Sequence, residues 1–282
     1  MTQRLKGTLA RERGAGNMFV MNDDVRLLQI SDPHLFADPN GRLRGVNTLA
    51  SLQRVMTHAL ASRRGFAGLL CTGDIVNDEP GGYAHFEHLT GSLGMPVYCV
   101  PGNHDDARTM RAALARAPFQ VGGYADVGRW RLVLLDSSVP GRAAGHLGTS
   151  EMRRLREALE GTDRHVMVCL HHQPVHMASR WLDALGLDNA VELLALLERY
   201  PGVRAISWGH VHQSFDSHRQ GVRLLGTPST GAQFLPQSSE FAIDTRPPAY
   251  RLLNLRADGT LTSELVWVEA ESALGEPLAA SA

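Results

Sequence analysis

Five short polar clusters hold the residues of this chain that could do chemistry: Asp32-Pro33-His34, Gly73-Asp74, Gly102-Asn103-His104-Asp105, His171-His172 and Gly209-His210-Val211-His212. Carboxylate and amide oxygens mixed with imidazole nitrogens, without a cysteine, make a donor set for Fe, Mn, Co or Zn and argue against a structural cysteine-type zinc. Two divalent ions held a few ångströms apart need a shared anionic ligand, and an aspartate can bridge them. Asp74 is the natural bridge. Asp32, His34 and one distal histidine then complete one ion. Asn103, one of the His171-His172 pair and the other distal histidine complete the second. A water between two dications loses a proton near neutral pH and becomes a nucleophile, so the chemistry such a pair would support is hydrolysis.

Taken singly, each cluster has an ordinary explanation as a turn-capping aspartate or a solvated histidine. Their positions set them apart. Each follows a short apolar run that reads as a buried strand, at Val25–Ile30, 68–72, 96–100, 166–170 and 203–207. Open α/β sheets place ligands at the carboxyl ends of their strands, and strand ends make a rigid frame. Asp32 and His34 are two positions apart, as are His210 and His212, and in an extended chain each pair faces one way. Pro101-Gly102 stops its strand and turns the chain, and Gly73 allows close backbone approach beside Asp74. Between the strands, apolar spacing predicts helices over 49–62, 83–92, 107–117, 151–159 and 189–200, with Asn47-Thr48 capping the first and Ser150 the fourth. Paired strands are expected over 128–136, and later strands at 223–225, 251–255 and 265–268. His85 and His88 ride on a helix with no third ligand nearby and read as a solvated face, and His58 reads as a surface or structural histidine. Asp136-Ser137-Ser138 reads as turn chemistry.

The composition of 43% hydrophobic and 20% charged residues over 282 positions is that of an ordinary globular chain, and no internal repeat or linker divides it. A formal net charge of −1 gives no basic footprint for nucleic acid and no cationic face for a membrane, and no apolar run is long enough to span one. Cys71, Cys99 and Cys169 are odd in number and sit in apolar runs, as buried reduced thiols of a cytoplasmic protein would. Residues 1–24 and 269–282 carry no lasting periodicity and are expected to be tails, the first flexible, around a catalytic domain at 25–268.

Asp-x-His, Gly-Asp, Gly-Asn-His-Asp, His-His-x-Pro and Gly-His-x-His, in this order, resemble the calcineurin-like metallophosphoesterases over about residues 25–268. Gly45-Val46-Asn47-Thr48, Trp181-Leu182-Asp183, Thr227-Pro228-Ser229-Thr230 and Phe241-x-Ile243-Asp244-Thr245 narrow the resemblance to the bacterial class III 3′,5′-cyclic-AMP phosphodiesterases. Gln173 departs from the Pro or His that relatives often carry there. The resemblance implies a single-domain, four-layer α/β/β/α sandwich of two mixed β-sheets with the metals at strand C-termini. It implies one ion on Asp32, His34, Asp74 and His212 and another on Asp74, Asn103, His171 and His210, with His172 beside them. Fe and/or Mn are the implied ions, with Zn and Co as alternatives. It implies catalytic roles for Asp74 and His104, and substrate contacts from His34, Asp74, Asn103, His104, His171 and His212. The implied reaction is hydrolysis of 3′,5′-cyclic AMP to 5′-AMP, by a monomer or a homodimer. A hydrolase of other diesters, such as glycerophosphodiesters or 2′,3′-cyclic nucleotides, and a metal-binding scaffold without catalysis are the alternatives.

Overall fold

The computed structural model describes residues 23–62 and 65–269, so the expected tails at 1–24 and 269–282 lie outside the described residues but for Asp23, Asp24 and Glu269. The first half of the chain forms β1 (Val25–Ile30), β2 (Arg42–Leu43), β3 (Val46–Asn47), α1 (Thr48–Ser62), β4 (Gly68–Cys71), α2 (Gly82–Thr90), β5 (Val97–Cys99), α3 (Ala107–Ala113), β6 (Phe119–Val121), β7 (Gly123–Val127) and β8 (Trp130–Leu134). The second half forms α4 (Thr149–Leu159), β9 (His165–Cys169), α5 (Arg180–Asp183), α6 (Ala190–Leu197), β10 (Val203–Trp208), β11 (Phe215–Arg219), β12 (Val222–Gly226), β13 (Gln233–Phe234), β14 (Ile243–Asp244), β15 (Ala249–Leu255) and β16 (Leu261–Trp267).

Two six-stranded sheets result, ordered β16-β15-β1-β4-β5-β6 and β11-β12-β10-β9-β8-β7. The inner run β1-β4-β5-β6 is parallel, as is β12-β10-β9-β8, and antiparallel strands close the remaining edges. Period-two alternation decides the layering. In β1, Leu28 and Ile30 pack with Leu52 and Val55 of α1 and Phe86 of α2, while Val25 and Leu27 join Trp130, Leu132 and Met167 between the sheets. In β9, Val166 and Val168 face Leu155 of α4 and Leu193 of α6, and Met167 and Cys169 face the first sheet. The architecture is therefore the four-layer α/β/β/α sandwich. Cys71, Cys99 and Cys169 are free and buried in it.

Some local expectations change. The β11 strand has four exposed residues out of five and carries no apolar signal; only antiparallel pairing with β12 defines it. The α3 helix ends at Ala113, because Leu114 adopts φ −105° and ψ 35°, and Pro118 follows. Gly148, not Ser150, precedes the first turn of α4. Asn47 does cap α1, its Oδ1 accepting from the Ala50 amide at 2.8 Å.

Candidate metal centre

All five polar clusters leave the C-terminal ends of parallel strands, from β1, β4 and β5 in one sheet and β9 and β10 in the other. Backbone bonds extend the ladder past the strands: the Asp32 amide donates to Gly73 O at 3.1 Å, His34 to Asp74 O at 2.9 Å and Gly209 to His171 O at 3.1 Å. The expected extended conformation of the Asp32/His34 and His210/His212 pairs is corrected here. Asp32 (φ 51°), His34 (46°), Asp74 (50°), His210 (65°) and His212 (46°) are all left-handed. That region is tolerated best by Asp, Asn and His among side-chain-bearing residues, and such strain gathers at functional sites. The glycines make room. A Cβ on Gly102 would lie 2.1 Å from Asp74 Oδ1, and one on Gly73 (φ 94°) would lie 2.4 Å from His171 Nδ1.

Donor atoms crowd into one buried volume. His34 Nε2 is 3.1 Å from His212 Nε2 and 3.6 Å from Asp74 Oδ2. His212 Nε2 is 3.4 Å from Asp32 Oδ1. On the other side His171 Nε2 is 3.2 Å from both Asp74 Oδ2 and Asn103 Oδ1, and the His210 and His171 ring centroids are 5.0 Å apart. Asp74 therefore adjoins both groups. His171 donates Nδ1–H to Thr72 O at 2.8 Å and His212 donates Nδ1–H to Ala232 O at 2.7 Å, which leaves Nε2 of each as a lone pair facing the cluster. Buried His34 Nδ1 and His210 Nε2 have no hydrogen-bond partner, a costly arrangement for a protein without a ligand there. Four overlapping groups of ligating atoms, each within 4.8 Å, are present among the described residues, and the donor set fits divalent ions. His172 differs: its Nε2–H donates to Ala143 O at 3.2 Å and its Nδ1 accepts from Ser137 Oγ at 2.8 Å, so both nitrogens are in use.

Electrostatics follow the crowding. Burial opposes the Asp74 charge, yet His171 and His34 hold its carboxyl well below the usual range. Burial likewise opposes a charged His171, but Asp74 pushes its pKa up to about 9. His34 and His210, buried and beside other imidazoles, fall to about 4 and about 3. His104 stands apart at the rim, its side chain 35% exposed and its Nδ1 2.8 Å from Asp78 Oδ2. Burial disfavours its cation, but Asp74 and the bond to Asp78 outweigh that and raise its pKa. Its amide donates to Asp74 Oδ1 at 2.9 Å. Residues 103–104 form a turn, so Asn103 and His104 diverge by the turn geometry and not by alternation along a strand.

The cluster lines a cavity of about 230 Å³ together with an aromatic group, Trp181, Phe234 and Phe241. A family model for calcineurin-like phosphoesterases matches residues 25–214. The chain belongs to that family. It is 40% identical over 247 residues to the 3′,5′-cyclic adenosine monophosphate phosphodiesterase CpdA of Pseudomonas aeruginosa, covering 87% of this chain and 90% of that one. It is 37% identical over 243 residues to a 3′,5′-cyclic-nucleotide phosphodiesterase of Nostoc, covering 86% and 91%. Among solved structures, a dimetal phosphatase from Danio rerio superposes with a TM-score of 0.57 at 15% identity, covering 87% of this calcineurin-like phosphoesterase and 99% of that chain. GAP50 of Plasmodium, described as the anchor in the inner membrane complex, superposes with 0.58 at 9% identity, covering 89% and 87%. A phosphatase and an anchor on one fold show that function must be argued from the site. Calcineurin-like phosphoesterases use a dinuclear metal centre, and the residues just described offer ligands for one.

Sequence reasoning did not assign several residues that shape this site. Asp105 is buried and accepts from the Gly102, Ile75 and Val76 amides and from Tyr83 Oη at 3.0, 3.1, 3.3 and 2.8 Å, tying the loop of Asp74 to the loop of Asn103. Its place in Gly-Asn-His-Asp was the only signal. Asp78 and Phe234 belong to none of the clusters or resembling stretches, and only the folded chain brings them in.

Proposed function

We propose that this chain hydrolyses 3′,5′-cyclic AMP to 5′-AMP with two divalent ions, iron and/or manganese. The observation that carries the reading is the place of Asp74, whose Oδ2 adjoins His34 Nε2 at 3.6 Å and His171 Nε2 at 3.2 Å. Asp32, His34, Asp74 and His212 would hold one ion, and Asp74, Asn103, His171 and His210 the other. When bound, such a pair supplies Lewis acidity toward phosphate oxygens and makes a coordinated water acidic near neutral pH. The chain's own residues supply orientation and a proton. Thr72 O and Ala232 O fix the tautomers of His171 and His212. The His104 amide fixes Asp74. The departing 3′ oxygen is a poor leaving group, and His104, at the cavity rim with Asp74 and Asp78 favouring its cation, donates the proton it needs. His34, Asp74, Asn103, His171 and His212 line or adjoin the phosphate position. The relatives named as cyclic-nucleotide phosphodiesterases support the substrate class.

A second reading has one observation behind it. A cleft of about 500 Å³, with Arg108 and Arg111 on its wall, meets the first cavity at Asn103 and His104 and would admit the second arm of an acyclic diester. Turnover of cyclic AMP, cyclic GMP, 2′,3′-cyclic AMP and glycerophosphodiesters by stripped protein reloaded with Mn or Fe separates the two. Cyclic AMP converted to 5′-AMP is expected; turnover confined to acyclic diesters would reject the first reading. Net charge, the absence among described residues of a helix fit to cross a membrane, and three buried free thiols accord with a cytoplasmic enzyme.

A further inference from the structure

Three stretches that mark the cyclic-nucleotide phosphodiesterase resemblance contribute little to the metal cluster, and the fold brings all three to one place. Their polar residues are consumed locally: Asn47 caps α1, Asp183 Oδ1 accepts from the Met177 amide at 2.6 Å, and Asp244 pairs with Arg246 at 2.5 Å. Their apolar and neighbouring residues line the 230 Å³ cavity together with the metal-ligand candidates, with Leu43 and Arg44 from before Gly45, Trp181 and Leu182 from α5, and Phe241 from the β13–β14 hairpin.

These rings meet edge to face. The Trp181 ring centroid lies 5.4 Å from Phe234 and 5.2 Å from Phe241, and the two phenyl rings are 5.2 Å apart at 70°. The Arg44 guanidinium sits 4.7 Å from the Phe241 centroid. The wall begins directly on the metal cluster, because the Phe234 ring is stacked on the His212 ring at 4.0 Å and 7°. The hairpin is also hung from His212 by its backbone, through Phe234 N–H to His212 O at 3.2 Å and His212 Nδ1–H to Ala232 O. Phe241 nevertheless remains 42% exposed, so part of this cavity-lining ring stands open.

We infer that the Trp181–Phe234–Phe241 wall is the nucleobase subsite of the cyclic-nucleotide site, taking the base by stacking, with Arg44 over the Phe241 ring. The inference rests on the phosphodiesterase reading above. A phosphate held at the ligand cluster places its ribose beside His212, and the next group along the cavity is a planar π-system facing planar π-systems. Every base offers such a face, so the wall sets affinity for a base and not its identity.

The test compares cyclic AMP with its abasic counterpart, ribose 3′,5′-cyclic phosphate, on the metal-loaded full chain. The wild type should prefer cyclic AMP, and Phe241→Ala should lower kcat/KM on cyclic AMP about tenfold, the worth of one base–aromatic stack, and so erase most of the preference. Phe241→Tyr, which keeps the ring face, should restore it. Equal wild-type turnover of both substrates would overturn the subsite and leave the phosphodiesterase reading standing, as would an equal loss on both in Phe241→Ala. If the wild type fails to turn over cyclic AMP, that reading falls, and calorimetry decides the subsite. Tighter wild-type binding of 5′-AMP than of ribose 5-phosphate, weakened in Phe241→Ala, supports it; equal binding of the two overturns it.

Discussion

The two sheets bring unlike chemistry to one site. Ends of β1, β4 and β5 deliver two carboxylates, an amide and the imidazoles of His34 and His104, while ends of β9 and β10 deliver imidazoles alone. The imidazole sheet depends on the carboxylate sheet for orientation: His171 donates to Thr72 O at the end of β4, and the His210 amide donates to Asp32 Oδ1 at 3.0 Å. The anionic charge that would hold a pair of dications thus lies on one sheet and much of the neutral donor set on the other. In the proposed ligand set each ion would draw donors from both sheets, so the centre would assemble only when the sheets pack.

The sharpest way to break this asymmetry is to remove the shared carboxylate. Asp74→Ala should lose both ions by elemental analysis and nearly all diester turnover, whereas His210→Ala, on the imidazole sheet, should lose one. Two tightly held ions in Asp74→Ala would refute its double service. Next in size is His104, which belongs to the carboxylate sheet and is proposed above to serve the leaving group. His104→Ala should keep both ions and lose roughly 10²–10⁴-fold on cyclic AMP, with a much smaller loss on bis(p-nitrophenyl) phosphate, whose leaving group needs no proton. Equal losses on both would make His104 a phosphate-binding residue. Asp105 tests whether the carboxylate sheet needs its own clamp. Asp105→Asn replaces an acceptor of four donors with an amide that must turn a donor toward them. It should weaken metal retention roughly 10–100-fold, as lost support of ligands does, and nearly spare the fold. Unchanged retention in dialysis against chelator would remove Asp105 from the site.

The smallest effect is on stability and pH. In stripped protein His34 and His210 stay neutral in the fold down to about 4 and about 3, while their unfolded counterparts gain protons near 6.5. Stability present above pH 6.5 is therefore lost as pH falls toward those values. His171 runs the other way. Its folded pKa near 9 gives stability that is full below 6.5 and lost as pH rises through 9. Melting temperature of the stripped chain should peak near pH 6.5, and loading with Mn should move the maximum upward, because bound ligands must be deprotonated. A stripped-protein profile that rises steadily to pH 9 would show that the His171–Asp74 pair across the sheets contributes nothing.

Much of the fold was legible because its signals are local. Apolar runs at 25–30, 68–71 and 203–208 are long enough to mark buried strands, and Asn47 marks the start of α1 by its own side chain. β11, with four of its five residues exposed, has no local signal, and its strand state is imposed by β12.

The sequence by itself determined which residue types meet: polar clusters at five strand ends, no cysteine among them, and one aspartate suited to serve two ions. Tertiary structure alone decided how they meet. Left-handed backbone at five of these residues, against the extended chain that alternation suggested, arises because hydrogen bonds between loops of different strands stabilise a conformation that no isolated segment would choose. The same holds for the difference between His171 and His172. Adjacent in sequence and identical in type, they part because Thr72 O leaves one Nε2 open to the cluster, while Ser137 and Ala143 occupy both nitrogens of the other. Hydrogen-bond partners 29 to 99 residues away in the chain set those roles: packing of the two sheets brings Thr72 to His171, and pairing of β8 with β9 brings Ser137 and Ala143 to His172.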